Sequence, residues 1–190
     1  MSIELVTVLE WVIPIPLALL YANFMEWGLH KYVLHGLGKK KGSFWSFHWH
    51  AHHQQVRRND YVDDEYKDTI WQWNGQSKEI LSLLGLALGH LPIALISPAF
   101  VLTLLYSNFN YYRLHKKSHL DPEWAKKHLS WHYDHHMGPN QDSNWCVTKP
   151  WFDYILGTRE THIDKKIAEG TSAPKGIGSV DVGPVDVVPG

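Results

Sequence analysis

Histidine accounts for 14 of the 190 residues, and most of these histidines fall into four tight groups. Clustered imidazoles typically serve as neutral nitrogen ligands for transition metals. Because burying so many imidazoles without partners is costly, the groups predict metal binding. In chain order they are His30 with His35, His48 with His52 and His53, His115 with His119, and His132 with His135 and His136.

Helical spacing indicates how these histidines converge. Positions i, i+3 and i+4 share one face of an α-helix, so the fourth group projects together, and His128 joins it one turn earlier. On an α-helix His30 and His35 lie about 140° apart, so we expect them to flank a site between neighbouring helices. The same holds for His48 and His53. Ten imidazoles from four helices therefore predict one cavity that holds two neighbouring metals.

The choice of metal follows from the ligand types. The single cysteine, Cys146, excludes a thiolate zinc ribbon or a cysteine-ligated iron–sulfur cluster within the chain. A structural zinc takes four ligands and would leave six histidines unexplained, and no HExxH pattern occurs. Calcium and magnesium prefer oxygen ligands, whereas imidazole suits iron, copper, nickel or zinc. A two-metal, all-nitrogen site in a membrane-seated protein indicates oxygen chemistry by iron.

Two apolar segments would position the histidines. Residues 5–25 form an apolar run of membrane-spanning length, interrupted by Glu10 and two prolines. Residues 80–106 carry no acidic or basic residue apart from His90, and Pro92 and Pro98 favour two shorter helices in a hairpin. If the histidine groups on both sides share one site, both flanks must emerge on the same membrane face. We therefore predict an all-α, membrane-embedded helical bundle with a re-entrant or hairpin apolar segment.

Charge and composition complete the outline. The formal net charge of −1 does not favour a nucleic-acid partner. Lysines and arginines cluster beside the histidine groups, which predicts that the histidines lie on the cytoplasmic face of the membrane. We expect one domain over residues 1–160, and a tail over residues 161–190 that is largely disordered after Gly170.

The order of the motifs resembles a known family. The spacing His-x4-His, His-x3-His-His, His-x3-His, His-x2-His-His is similar to that of the fatty acid hydroxylase/sterol desaturase superfamily, which are integral-membrane di-iron oxidases. The stretch HYDHHMGPNQDSNWCVTKPWFDYILGTR, residues 132–159, looks like the last motif of that family. MEWGLHKYVLHG, residues 25–36, also looks like the carotenoid hydroxylase branch. The resemblance covers about residues 20–160.

The resemblance implies an enzyme in which all ten grouped histidines hold two irons. It implies activation of O2, removal of hydrogen from an unactivated C–H bond of a lipid, and formation of a hydroxyl or a double bond. Electrons would come from NAD(P)H through a separate carrier such as a ferredoxin, and no G-x-G-x-x-G motif follows a strand. Because the chain has less apolar length than the usual four spans, shallow insertion or a homo-oligomer is expected to compensate.

Several assignments have alternatives. His50 is an alternative ligand to His48, and His128 is an alternative or additional ligand beside His132. Glu26 and Asp134 are candidate carboxylate partners that orient metal-bound histidines, and Asp60, Asp63 and Asp64 follow the second group. The alternative functions are hydroxylation of a carotenoid ring and metal binding in the membrane without catalysis.

Overall fold

The computed structural model describes residues 3–163, which form helices and no strand, as predicted. The part of the predicted tail from residue 164 onward lies outside the described residues. The α-helices are α1 (Ile3–Val12), α2 (Pro14–Leu29), α3 (His53–Arg58), α4 (Gly75–His90), α5 (Pro98–Leu120), α6 (Pro122–His128), α7 (Ser130–Met137) and α8 (Trp151–Ile155). Two π-helices cover His30–Leu37 and Phe47–His52, and 3₁₀ turns cover Asp64–Lys67 and Leu91–Leu95.

Local sequence explains where the long helices begin. Asn74 and Ser77 form a reciprocal capping box at the start of α4. Ser97 caps α5, and Pro98 occupies the first turn, where its missing N–H costs nothing. Asp121 caps α6 by accepting from the backbone N–H of Trp124.

Helices α4 and α5 form the antiparallel hairpin that the prolines predict. Asn108 of α5 donates to the carbonyl of Leu83, and Tyr112, one turn later on α5, donates to Gln76 near the start of α4. Pro92 lies in the 3₁₀ turn that reverses the chain. Both outer ends of the hairpin therefore lie at the same end of the molecule, together with the histidines of α5. Helix α2 packs along α5 and completes a three-helix layer.

Within residues 3–163, two helical segments are long and apolar enough to cross a membrane: Val8–Leu37 and Gly75–Leu95. Only 11% and 6% of the residues in their most apolar stretches are buried inside the protein. A core helix of a water-soluble domain would be covered on its apolar face, so these helices present that face outward.

Candidate metal centre

All ten grouped histidines are buried, and the fold gathers them at one end of the hairpin. They divide between two neighbouring groups, in each of which the potential ligand nitrogens lie within 4.8 Å of one another. His132 lies beside the second group, with its Nε2 3.2 Å from Nε2 of His119. The first group contains His30, His35, His48, His53 and His135, and the second contains His52, His115, His119 and His136.

The two π-helices correct one geometric prediction. On an α-helix His30 and His35 would point about 140° apart. A π-helix instead bonds residue i to residue i+5, and its wider turn brings residues five apart to the same side. The ring centroids of His30 and His35 are 5.1 Å apart, and those of His48 and His53 are 4.8 Å apart. The two rings of each pair therefore point into the same histidine group, instead of lying on opposite sides of a site.

The last histidine motif of the sequence, His132 with His135 and His136, is also arranged differently from the prediction. The helix does not continue from His128 to His132, because it breaks at Leu129, whose backbone is non-helical (φ −134°, ψ 45°). His128 is exposed, stacks on Trp124 and lies outside both groups, so the prediction that it joins the fourth group is wrong. His50 also lies outside both groups, with its Nε2 3.0 Å from the carbonyl oxygen of Lys39. His48 and His132 are the buried members of these two pairs of alternatives.

Backbone carbonyls from distant segments orient several of the rings. Because a carbonyl oxygen only accepts, the ring must donate from Nδ1, and Nε2 of the neutral ring is left as a lone pair. The pairs are His30 with Trp145 at 2.6 Å, His119 with Tyr61 at 3.1 Å, and His135 with Ser143 at 2.6 Å.

Two of these carbonyls belong to irregular segments with left-handed backbone. Tyr61, which is fully buried, has φ +80°, and Asn144, just before Trp145, has φ +57°. Residues other than glycine adopt these angles only when their surroundings hold them there. The backbone therefore accepts local strain where it supplies an oxygen to a histidine.

Carboxylates orient three more rings. Asp63 lies 2.6 Å from Nδ1 of His52, Glu79 lies 2.6 Å from Nδ1 of His115, and Asp142 lies 3.1 Å from Nδ1 of His35. Tyr66 also donates to Glu79, at 2.6 Å. Carbonyl and carboxylate partners of this kind are typical of metal-binding histidines, since they fix the tautomer and the ring orientation.

The two carboxylates named as candidate partners have other roles. Glu26 accepts hydrogen bonds from the backbone N–H groups of Val147 and Thr148 and from the Thr148 hydroxyl. Asp134 accepts from the backbone N–H groups of residues 162 and 163 and from Arg159. Both carboxylates therefore tie the segment that follows the fourth motif to the helices.

Sequence reasoning missed Glu79 and Asp142. Glu79 is the last acidic residue before the apolar hairpin, and His115 follows the hairpin. A closed hairpin with ends of equal length brings these two residues together, and this signal is present in the sequence. Asp142 carries no comparable signal, because its contact with His35 depends on a loop that folds back across 107 residues.

The donor set fits a transition-metal cation. Nε2 of His53 faces the Nε2 atoms of His35, His48 and His135 at 3.1 to 3.2 Å. His35 and His135 donate from Nδ1, so their Nε2 atoms are lone pairs, and a single proton on His53 satisfies only one of them. Converging lone pairs repel each other unless a cation lies between them.

The second group adds unpartnered nitrogens. Among residues 3–163, Nε2 of His52, His115 and His136 has no hydrogen-bond partner, although each is buried. Burial, followed by the mutual repulsion of neighbouring imidazolium charges, lowers the pKa of His48, His53, His132, His135 and His136 well below the ordinary value. These five rings are therefore neutral near pH 7, which is the state that binds metals.

An apolar cavity of about 500 Å³ opens onto both groups. At one end it is lined by His30 and His48 of the first group and by His52 and His115 of the second. From there it runs between α2, α4 and α5, past residues such as Leu29, Leu86 and Leu104. Its size and lining are typical of a site for an apolar small molecule.

Comparison with known proteins agrees with this arrangement. Neither the curated proteins nor the solved structures contain a match to the chain. The family model for fatty acid hydroxylases matches residues 15–158, which include all ten grouped histidines, the hairpin and the apolar cavity. The chain belongs to the fatty acid hydroxylase family.

Proposed function

We propose that the protein is a membrane di-iron oxygenase that hydroxylates, or desaturates, an unactivated C–H bond of a lipid. The observation that carries this proposal is the meeting of two buried histidine groups at the end of one apolar cavity. A metal-storage or buffering site has no need for a cavity of this kind, whereas an oxidase must bring a hydrocarbon next to its metals. Family membership supports the same class of reaction.

The ten buried histidines are the proposed ligands. His132 completes the second group, so that each iron has five imidazoles nearby. Bound iron would supply the activation of O2 that breaking an unactivated C–H bond requires.

The chain's own groups perform the remaining tasks. The carbonyls and carboxylates at Nδ1 fix six of the ten rings, so that Nε2 of these rings would meet bound iron without reorganisation. The apolar wall of the cavity excludes water from the reacting carbon and aligns a hydrocarbon with the histidine end.

Electrons are proposed to come from NAD(P)H through a separate carrier such as a ferredoxin. Asp142 connects His35 to the surface: its carboxylate contacts Nδ1 of His35 and Nζ of Lys39, which lies 2.7 Å away. The side chains of Asp142 and Lys39 are 50% and 41% exposed. With Lys40 and Lys41 beside it, this point offers positive charge to an acidic carrier at a short distance from the first group.

Integral membrane placement is part of the proposal. Two apolar helical segments with outward apolar surfaces support insertion into a bilayer. Basic residues beside the histidine groups support the cytoplasmic face for the metal end. The cavity between α2, α4 and α5 would then receive its substrate from the lipid phase.

Elemental analysis of the detergent-purified full chain tests the proposal. We expect two irons per chain, one for each histidine group. His135→Ala should lower the iron content because it removes a ligand of the first group. His128→Ala, which changes an exposed histidine outside both groups, should retain both irons.

Two outcomes would contradict the proposal. Equal iron loss in both variants would break the ligand assignment. Stable metal binding without O2 consumption, with zinc as effective as iron, would favour the non-catalytic metal protein. Expression in a carotene-producing host separates the carotenoid alternative, because only a carotenoid hydroxylase forms xanthophylls there.

A further inference from the structure

A polar pair lies at the far end of the apolar cavity, away from the histidine groups. Tyr21 of α2 and His90, the last residue of α4, both line the cavity, and Tyr21 Oη is 2.9 Å from Nε2 of His90. His90 is an ionisable residue inside an apolar segment long enough to span a membrane. Polar groups in such segments are costly and usually face a functional cavity.

The hydrogen-bond directions at this pair can be assigned. Nδ1 of His90 lies 2.7 Å from the carbonyl oxygen of Leu86, so Nδ1 donates, and Nε2 of the neutral ring accepts. Tyr21 therefore donates its proton to His90. The Tyr21 oxygen retains a lone pair, so the far end of the cavity presents a hydrogen-bond acceptor.

The two serines that line the cavity are directed elsewhere. Ser82 donates to the carbonyl of Lys78 at 2.7 Å, and Ser107 donates to the carbonyl of Thr103 at 2.9 Å, each within its own helix. Their hydroxyl protons are thus taken up by the backbone, which is the usual way for a serine to lie in an apolar helix. Glu26, Asn108 and Tyr111 also line the cavity, but they lie within about two helical turns of His30 or His115 and so belong to the metal end. The remaining lining towards Tyr21 is apolar.

Helix geometry gives the separation of the ends. Glu79, which holds His115, precedes His90 on α4 by a distance of about 16 Å at 1.5 Å per residue. Tyr21 precedes His30 on α2 and its continuation by about 14 Å on the same basis. The two helices agree, so the acceptor lies about 14–16 Å from the metal end.

We propose that Tyr21 recognises a hydroxyl group of the substrate. The substrate class is then an elongated, otherwise apolar lipid that carries a hydroxyl about 14–16 Å from the carbon that is oxidised. This inference rests on the proposed function in one respect only, which is that the substrate is oxidised at the end of the cavity that holds the histidine groups. A sterol and a long-chain alcohol share the required chemistry.

Equilibrium binding of tritiated probes to the detergent-purified full chain tests this inference without turnover. The probes are two matched pairs, cholesterol with its 3-deoxy analogue, and hexadecanol with hexadecane. One hydrogen bond should make the hydroxylated member of a pair bind about fivefold more tightly. Preference within the sterol pair alone identifies a sterol-like substrate, and preference within the chain pair alone identifies an alcohol.

Tyr21→Phe combined with His90→Leu removes the Tyr21 acceptor without freeing Nε2 of His90, which also lines the cavity. This double variant should abolish the preference, while binding of the hydroxyl-free probe stays unchanged and shows that the cavity is intact. Tyr106→Phe is the matched control, because Tyr106 lies on α5 with its side chain 60% exposed and does not line the cavity. It should keep the preference. Equal binding of both members in the parent chain, or a preference that survives in the Tyr21→Phe/His90→Leu variant, would overturn the inference. If the iron-loaded parent chain prefers the hydroxylated probe but does not oxidise it, the proposed function is refuted and the hydroxyl recognition stands.

Discussion

Glu79 offers the sharpest test of how the rings are held. Its carboxylate accepts from Nδ1 of His115 and from the Tyr66 hydroxyl, each at 2.6 Å. Both are short hydrogen bonds to a carboxylate, the strong class. Glu79→Gln keeps the shape but replaces one acceptor oxygen with a donor, so either Tyr66 or His115 loses its partner.

We expect Glu79→Gln to weaken metal binding at the second group by about 10–100-fold, the range for loss of a carboxylate behind a metal-bound histidine. This corresponds to about 1.4–2.8 kcal/mol. The first group should keep its affinity, because none of its rings is held by Glu79. Tyr66→Phe should cost less, since the bond from His115 to Glu79 remains.

Titration of the metal-free full chain with Fe²⁺ against a competing chelator resolves the two sites. Glu123→Gln is the matched control, because the Glu123 side chain is 82% exposed and forms its ion pair with Lys126 of the same helix. Unchanged affinity at both sites in Glu79→Gln would refute the reasoning. An equal loss at both sites would show that Glu79 supports the fold rather than one ring.

Two stability predictions concern segments that position the candidate ligands. Gly38→Ala should destabilise the chain by about 1–3 kcal/mol, because a Cβ there would overlap the backbone oxygen of Leu34 where the first π-helix ends. Gly42→Ala is the control and should leave Tm unchanged, because no described residue lies within 4 Å of the added Cβ. Equal Tm values for the two variants would contradict this prediction. Asp153→Ala should cost about 3 kcal/mol in urea denaturation, because the carboxylate accepts from two buried backbone N–H groups and one hydroxyl. Asp64→Ala, at an exposed ion pair, should stay within about 0.5 kcal/mol of the parent, and a comparable loss there would show that the assay is insensitive to burial.

The histidine groups and the hairpin could be predicted from the sequence because both depend on local signals. Grouped imidazoles have few other uses, and Pro92 and Pro98 interrupt an apolar run that would otherwise be too long for one span. The choice between His48 and His50, in contrast, depended on burial. Neighbouring histidines on one short helix look alike until the helix is packed.

The π-helices could not be predicted from spacing. A five-residue interval on an α-helix separates His30 from His35, and nothing in HKYVLH itself favours the wider turn. The backbone adopts it where tertiary contacts hold the rings together, here through Trp145 and Asp142. The break at Leu129 was missed because the polar and apolar residues around it keep a helical period across the interruption.

The backbone carbonyl of Trp145 orients His30, although Trp145 comes 115 residues later in the chain. At a synthesis rate of about 5–20 residues per second, the ribosome needs about 6–23 s to make that stretch. During this time His30, His35, His48, His52 and His53 exist without His135 and without the carbonyl oxygen that orients His30. On the proposed function, iron loading would follow translation of the whole His30–Trp145 stretch. A chain that stalls inside the hairpin would then present only part of the proposed ligand set.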